Sequence, residues 1–257
     1  MTSPRQLDAV SETRRALKST GSNTLAYIVM VLAVLVGGGS MLALGVFVYI
    51  GRVSPTQTHG SNAKSLWIDA LLSMVFFLQH SGMVRTTFRQ WLTRLIPEEY
   101  GGAFYAIVSG AVLLAVVSLW QTTPLLFKAT GLFWWVLRAL GWLSFFGFIW
   151  AASALRGFDF FGLRPILGRS GEKESKPTAF VFRGPYRWVR HPVYFFLIVL
   201  CWTCPVVTAD RLLFDVLWTA WVVMGAILEE RDLVAAFGDA YREYQRKVPM
   251  LIPYRMG

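Results

Sequence analysis

The chain has 257 residues, 55% hydrophobic and 16% charged, with a mean hydropathy of +0.48; an average soluble domain carries roughly 25% charged residues, which argues strongly against a soluble globular enzyme. Lys and Arg number 25 against 15 Asp and Glu, a net charge of +10, so the charge must be mapped before it is read as a nucleic-acid footprint. Two cysteines exclude a disulfide-stapled secreted fold.

Residues 1–24 are polar and are expected to be disordered or a surface helix, an extension outside the membrane domain at 25–257. A membrane-crossing helix needs roughly 20 mostly apolar residues, because its backbone polar groups must be satisfied internally. Runs of that kind are predicted at 25–50, 66–84, 103–121, 132–155 and 212–228, with a shorter one at 193–204. The first is too long for a removable signal peptide, and its Gly37-Gly38-Gly39 loosens the helix or admits a close neighbour. The short fifth run is expected not to cross fully unless residues before Val193 extend it. Residues 229–247 read as an amphipathic helix, with Leu233, Phe237, Tyr241 and Tyr244 at helical spacing. Prolines 249 and 253 end it. The predicted fold is therefore all-α: a polytopic membrane bundle of five to six transmembrane helices with a cytoplasmic C-terminal amphipathic helix.

Twenty of the 25 basic residues fall before the first run, between the second and third, from Arg156 to Arg190, or after the last run. Arg52, Lys64, Lys128 and Arg211 fall on the other side, with Arg138 inside the fourth run. By the positive-inside rule both termini are cytoplasmic, which suits a bacterial inner membrane, and the charge reads as topology rather than nucleic-acid binding.

Ionisable groups near hydrocarbon are costly and become functional candidates. In the second run Asp69, Ser73 and His80 share one helical stripe, but Asp69 lies near the outer end and His80 near the cytoplasmic end, so they cannot form a dyad. His80, flanked by Gln79 and Ser81 and followed by Arg85, is the candidate proton acceptor. The competing reading is a histidine hydrogen-bonded within the bundle. Arg138 is expected to snorkel outward; His59 lies in an external loop. Cys201 and Cys204 read as buried inert thiols, and no metal site is expected.

The segment from Arg183 to Tyr194 packs three arginines, His191 and three aromatics against the start of the fifth run. Pro192 suits a first helical turn and places His191 at the N-terminus, where free amides and the dipole favour an anion. Glu229 and Glu230, at the end of the sixth run on the same side, suit the ammonium or ribose hydroxyls of a nucleotide-like cofactor. The alternatives are an interfacial arginine and aromatic belt, and a solvated carboxylate pair.

Tyr186 to Tyr194, the Glu229-Glu230 pair, and Phe237-Gly238 with Tyr241, Tyr244 and Val248-Pro249 through Pro253 resemble the carboxy-terminal signature of integral-membrane methyltransferases that use S-adenosylmethionine, typified by isoprenylcysteine carboxyl methyltransferase. Phe77 to Arg85, Phe88, Trp91, Thr93-Arg94, Pro97 and Phe161 to Arg164 are similar to bacterial methanethiol S-methyltransferases, which make dimethyl sulfide. This narrower likeness runs over most of residues 66–253. It implies S-adenosylmethionine as cofactor, held by Tyr186, His191, Pro192, Val193, Tyr194 and Glu229, within a signature half at 183–253. Glu230 joins this set as Glu229's neighbour. In the prenylcysteine enzymes an arginine one turn before the cofactor-binding glutamate is associated with the substrate carboxylate. Here Gly225 stands there, and a small uncharged thiol needs no such arginine.

The resemblance thus implies methyl transfer to a small thiol, most simply methanethiol; read from the residues themselves, His80 is expected to remove the thiol proton or steer it to water through Gln79 and Ser81, with Gln79, Ser81 and Arg85 on the substrate side. A prenylcysteine or phospholipid acceptor stays open. The Gln79-His80-Ser81 half also resembles membrane domains linked to denitrification and to a haem-dependent carotene isomerase, in which histidines ligate iron.

Overall fold

The computed structural model describes residues 23–51, 62–155, 159–168 and 183–254. The expectations for residues 1–22 and for His59 lie outside them. The described residues contain five helices long and apolar enough to cross a membrane: α1 (Asn23–Ile50), α2 (Asn62–Val84), α4 (Gly101–Leu119), α5 (Gly131–Ala154) and α7 (Ala209–Phe237). The shorter α3 (Thr86–Leu92) follows α2, the apolar α6 (Pro192–Trp202) precedes α7, and α8 (Asp239–Lys247) follows it. Single 3-10 turns at Glu98–Tyr100 and Gly184–Arg187 lead into α4 and α6. The chain is an integral membrane protein of the all-α polytopic class.

Lipid offers no hydrophobic drive to pair helices, so close approach rests on small residues. Within α1 the stretch Ala33–Gly38 is wound as a π-helix, and a Cβ added to Gly110 of α4 would lie 2.8 Å from the Val36 carbonyl oxygen and 3.0 Å from the Gly37 Cα. The glycine run therefore does both things its sequence suggests: it loosens the helix and admits a neighbour. Phe47, Phe76, Leu113, Val117, Phe214 and Trp218 fill the centre between α1, α2, α4 and α7. Leu71, Leu78, Leu132, Trp135 and Leu143 face outward, a pattern suited to lipid rather than water.

Two short strands, β1 (Leu125–Lys128) and β2 (Val206–Thr208), pair antiparallel where α4 passes to α5 and α6 to α7. This ladder lies at the end of the bundle opposite His191. Because α6 has 11 residues, it covers only about 16 Å at 1.5 Å per residue. Before Pro192 the chain is a 3-10 turn at Gly184–Arg187 followed by non-helical residues rather than an extension of α6, and after Trp202 it runs into β2.

The ladder end is rich in buried polar contacts. Where α4 stops at Leu119, Asp69 accepts the Gln121 amide at 2.9 Å. Asp210 accepts the Thr123 amide at 2.9 Å, the Thr123 hydroxyl at 2.6 Å and the Trp120 indole at 3.1 Å. These carboxylates satisfy amide, hydroxyl and indole donors of the non-helical stretch that follows α4. Arg211, in the first turn of α7 at this end, is fully buried. Its Nε pairs with Asp215 at 3.0 Å, and it donates to the carbonyls of Val48 and Cys201. Burial wins because α1 ends here and its last carbonyls need donors. Arg138 donates to the Tyr49 carbonyl at 2.6 Å and stacks over the Tyr49 ring at 4.0 Å, so it is fastened to α1. Cys201 and Cys204 are buried free thiols.

The tail also differs from expectation. The predicted amphipathic helix at 229–247 is two elements: α7 continues unbroken through Glu229 and Glu230 to Phe237, the chain turns at Gly238 (φ +58°), and α8 begins at Asp239. Only glycine adopts that φ readily. The turn folds α8 back so that Tyr241, Tyr244 and Val248 pack on Leu233, Val234 and Phe237.

Candidate active site

His191 is the N-cap of α6 and Pro192 its first residue, as the proline's fixed φ favours. The chain just before this helix is fastened to the C-terminal segment: the Arg190 and His191 amides donate to the carbonyls of Pro249 and Met250 at 2.9 and 3.1 Å. Arg190 grips Glu230, with Nε 2.5 Å from Oε1 and Nη2 3.0 Å from Oε2, and its remaining nitrogen donates to the Gln245 and Val248 carbonyls. Gln245 donates to Glu230 Oε2 at 2.9 Å, and His191 Nε2 lies 3.2 Å from Glu230 Oε1. The carboxylate of Glu230 is thus buried and surrounded by donors.

Its neighbour is placed differently. The Glu229 side chain is 46% exposed. Tyr194 donates to its Oε2 at 2.9 Å, and His191 Nδ1 lies 3.7 Å from the same oxygen. The rings of His191 and Tyr194 stack at 5.4 Å. Tyr186 sits on the turn before α6; its carbonyl accepts the Tyr244 hydroxyl at 2.5 Å. Burial first, and then the Glu229 charge, push its own hydroxyl well above the usual phenol range, so it stays a neutral donor. Val193 is half-buried in the first turn of α6, while Arg183 and Arg187 are exposed. Tyr186, His191, Pro192, Val193, Tyr194, Glu229 and Glu230 therefore gather at one end of the bundle, with Glu229 turned outward and Glu230 inward.

The second group lies at the same end. His80, in the last turns of α2, is half-buried. The Tyr105 hydroxyl of α4 is 2.8 Å from its Nε2 and 3.1 Å from its Nδ1. The imidazole is walled by Phe76 at 5.1 Å and Trp221 at 5.2 Å. Gln79 and Ser81 bond to side chains around His80 rather than to its ring: Gln79 donates to Ser109 at 3.0 Å and Met83 at 2.9 Å, and Ser81 accepts from Trp221 at 3.2 Å. Arg85 is exposed at the N-cap of α3. His80 in the last turns of α2, His191 at the start of α6 and Glu229 toward the end of α7 thus lie at the same end of the bundle.

Sequence reasoning missed Tyr105, Trp221 and Gln245. Tyr105 had one available signal: with Ser109 it forms a polar pair four residues apart on an otherwise apolar helix, hence on one face. Among the described residues no three His, Cys, Asp or Glu side chains gather as a metal site.

No protein-family model matches the chain, and no solved structure does. Curated relatives do match. Methanethiol S-methyltransferase 1 of Bradyrhizobium diazoefficiens is 32% identical over 239 residues, covering 90% of this chain and 80% of the relative. Methanethiol S-methyltransferase of Mycobacterium tuberculosis is 34% identical over 196 residues, 74% of this chain and 79% of the relative. Nurim of Mus musculus is more distant, 28% identical over 205 residues, 71% of this chain and 73% of its own length. At this identity and coverage, the polytopic membrane chain with its His191–Glu230 cluster belongs to the methanethiol S-methyltransferase family and is a methyltransferase.

Proposed function

We propose that this enzyme transfers a methyl group from S-adenosylmethionine to methanethiol, giving dimethyl sulfide, at the cytoplasmic face of a bacterial plasma membrane with both termini in the cytoplasm. Residues 25–257 act as one membrane unit in this reading. The observation that carries it is the placement, at the same end of the bundle, of the Tyr194–Glu229 pair and the His80–Tyr105 contact.

The residues fit the donor. Glu229 has one oxygen engaged by Tyr194 and is otherwise open, which suits ribose hydroxyls or an ammonium. The exposed Arg183 and Arg187 beside the start of α6 suit a carboxylate. Tyr186, His191, Pro192, Val193 and Tyr194 form the wall, and Glu230 holds that wall from behind through Arg190. When bound, S-adenosylmethionine supplies an electrophilic methyl on a sulfonium. The protein's task is then to align the acceptor in line and exclude water, and to help a thiol of pKa near 8.5 reach its thiolate form. His80 takes up that proton. Gln79, Ser81 and Arg85 complete the acceptor side, and Gly225, in place of a carboxylate-binding arginine, favours a small uncharged acceptor.

Purified protein supplied with S-adenosylmethionine and either methanethiol or a prenylcysteine analogue tests the reading. Dimethyl sulfide in the headspace is expected. Methyl ester without sulfide would replace the acceptor assignment, and a visible Soret band would point to haem chemistry instead.

A further inference from the structure

The hydroxyl of Tyr105 stands over the N–C–N edge of His80, within 3.1 Å of both ring nitrogens. The faces and flanks of the imidazole are occupied: Phe76 lies at 5.1 Å, Trp221 at 5.2 Å and the Tyr105 ring at 5.3 Å. Trp221 is itself pinned by its bond to Ser81 and by stacking on Phe77 at 4.8 Å. An acceptor approaching the ring nitrogens along this edge therefore meets the Tyr105 oxygen first. Tyr194, whose hydroxyl binds Glu229 on the proposed donor wall, lies at the same end of the bundle.

Resting on the function proposed above, we infer that Tyr105 is a catalytic residue: its hydroxyl, rather than the imidazole, contacts the acceptor thiol and relays the proton to His80. The S–H proton passes to the Tyr105 oxygen as the Tyr105 O–H proton passes to the free ring nitrogen of His80, leaving the tyrosine neutral and the histidine an imidazolium. The thiolate lone pair forms the new S–C bond with the methyl carbon. The bond from that carbon to the donor sulfur breaks, and its electron pair stays on the donor sulfur, which becomes a neutral thioether. The imidazolium then returns its proton to water. No oxidant or further reactant is needed.

The test compares the unaltered chain, Tyr105→Phe and His80→Ala with two acceptors: methanethiol, and the more acidic trifluoroethanethiol at a pH where it is already ionised. Loss of a relay that contributes general-base assistance is expected to lower turnover of methanethiol about 10²-fold in both variants. Donor affinity by calorimetry should stay within about twofold, and the rate with the ionised thiol should return to within a few-fold of the unaltered chain. Equal losses with both thiols would make the hydroxyl structural and overturn the inference. So would full activity in Tyr105→Phe beside an inactive His80→Ala, which would put the thiol directly on the imidazole. Inactivity of the unaltered chain toward both thiols would overturn the function itself, a failure distinguishable from one confined to the variants.

Discussion

Arg190 and Glu230, 40 residues apart, meet as a two-point pair with separations of 2.5 and 3.0 Å, and their side chains are only 10% and 11% exposed. The same guanidinium holds the Gln245 and Val248 carbonyls. One side chain thus ties the start of α6 to the end of α7 and to the tail.

Removing one member of a buried pair costs roughly 3–5 kcal/mol, because the other charge is left uncompensated. Arg190→Ala is therefore expected to lower the melting temperature of the detergent-solubilised protein by several degrees. Protease sensitivity should rise after Gly238, where the tail loses its anchor. Limited proteolysis with mass spectrometry would locate the new cuts, and an unchanged melt would show that the tail packing of Tyr241 and Tyr244 suffices alone.

Glu229→Gln is expected to behave in the opposite way. Its side chain is nearly half exposed, so stability should change by less than about 1 kcal/mol. Affinity for S-adenosylmethionine, measured by calorimetry, should fall roughly tenfold or more, as for loss of a charged hydrogen-bond partner. Unaltered affinity would move the donor site elsewhere.

The α1–α4 contact offers a test of packing without chemistry. A Cβ on Gly110 meets the backbone of Val36 and Gly37, whereas one on Gly45 meets nothing within 4 Å. Gly110→Ala should destabilise by roughly 1–3 kcal/mol, since two helix backbones must separate. Gly45→Ala should be neutral or slightly stabilising because alanine is the better helix former. Thermal melts of the two variants side by side would decide.

Arg211→Lys should not restore what Arg211→Ala removes. The guanidinium serves Asp215 and carbonyls of α1 and α6 at once, a forked geometry that a single ammonium does not reproduce. Both variants are expected to accumulate poorly in membranes; a lysine variant with full yield and an unaltered melt would show that charge alone suffices.

The apolar runs were legible because a helix in lipid must satisfy its backbone within itself, so length and composition alone mark it. The residues from Tyr186 to Tyr194 and the Glu229-Glu230 pair were legible as candidates because charge beside hydrocarbon is conspicuous, and their gathering at one bundle end accords with that reading. Tyr105, Gln245 and the burial of Arg211 were not legible. Each depends on which neighbour a helix face meets: α4 turned toward α2, α8 folded back at Gly238, and α1 ending where α7 begins. The two glutamates show the division most clearly. Adjacent in sequence and chemically alike, they point about 100° apart on one helix, so only the packing of α6 and α8 against α7 decided that Glu230 is held inside and Glu229 faces out.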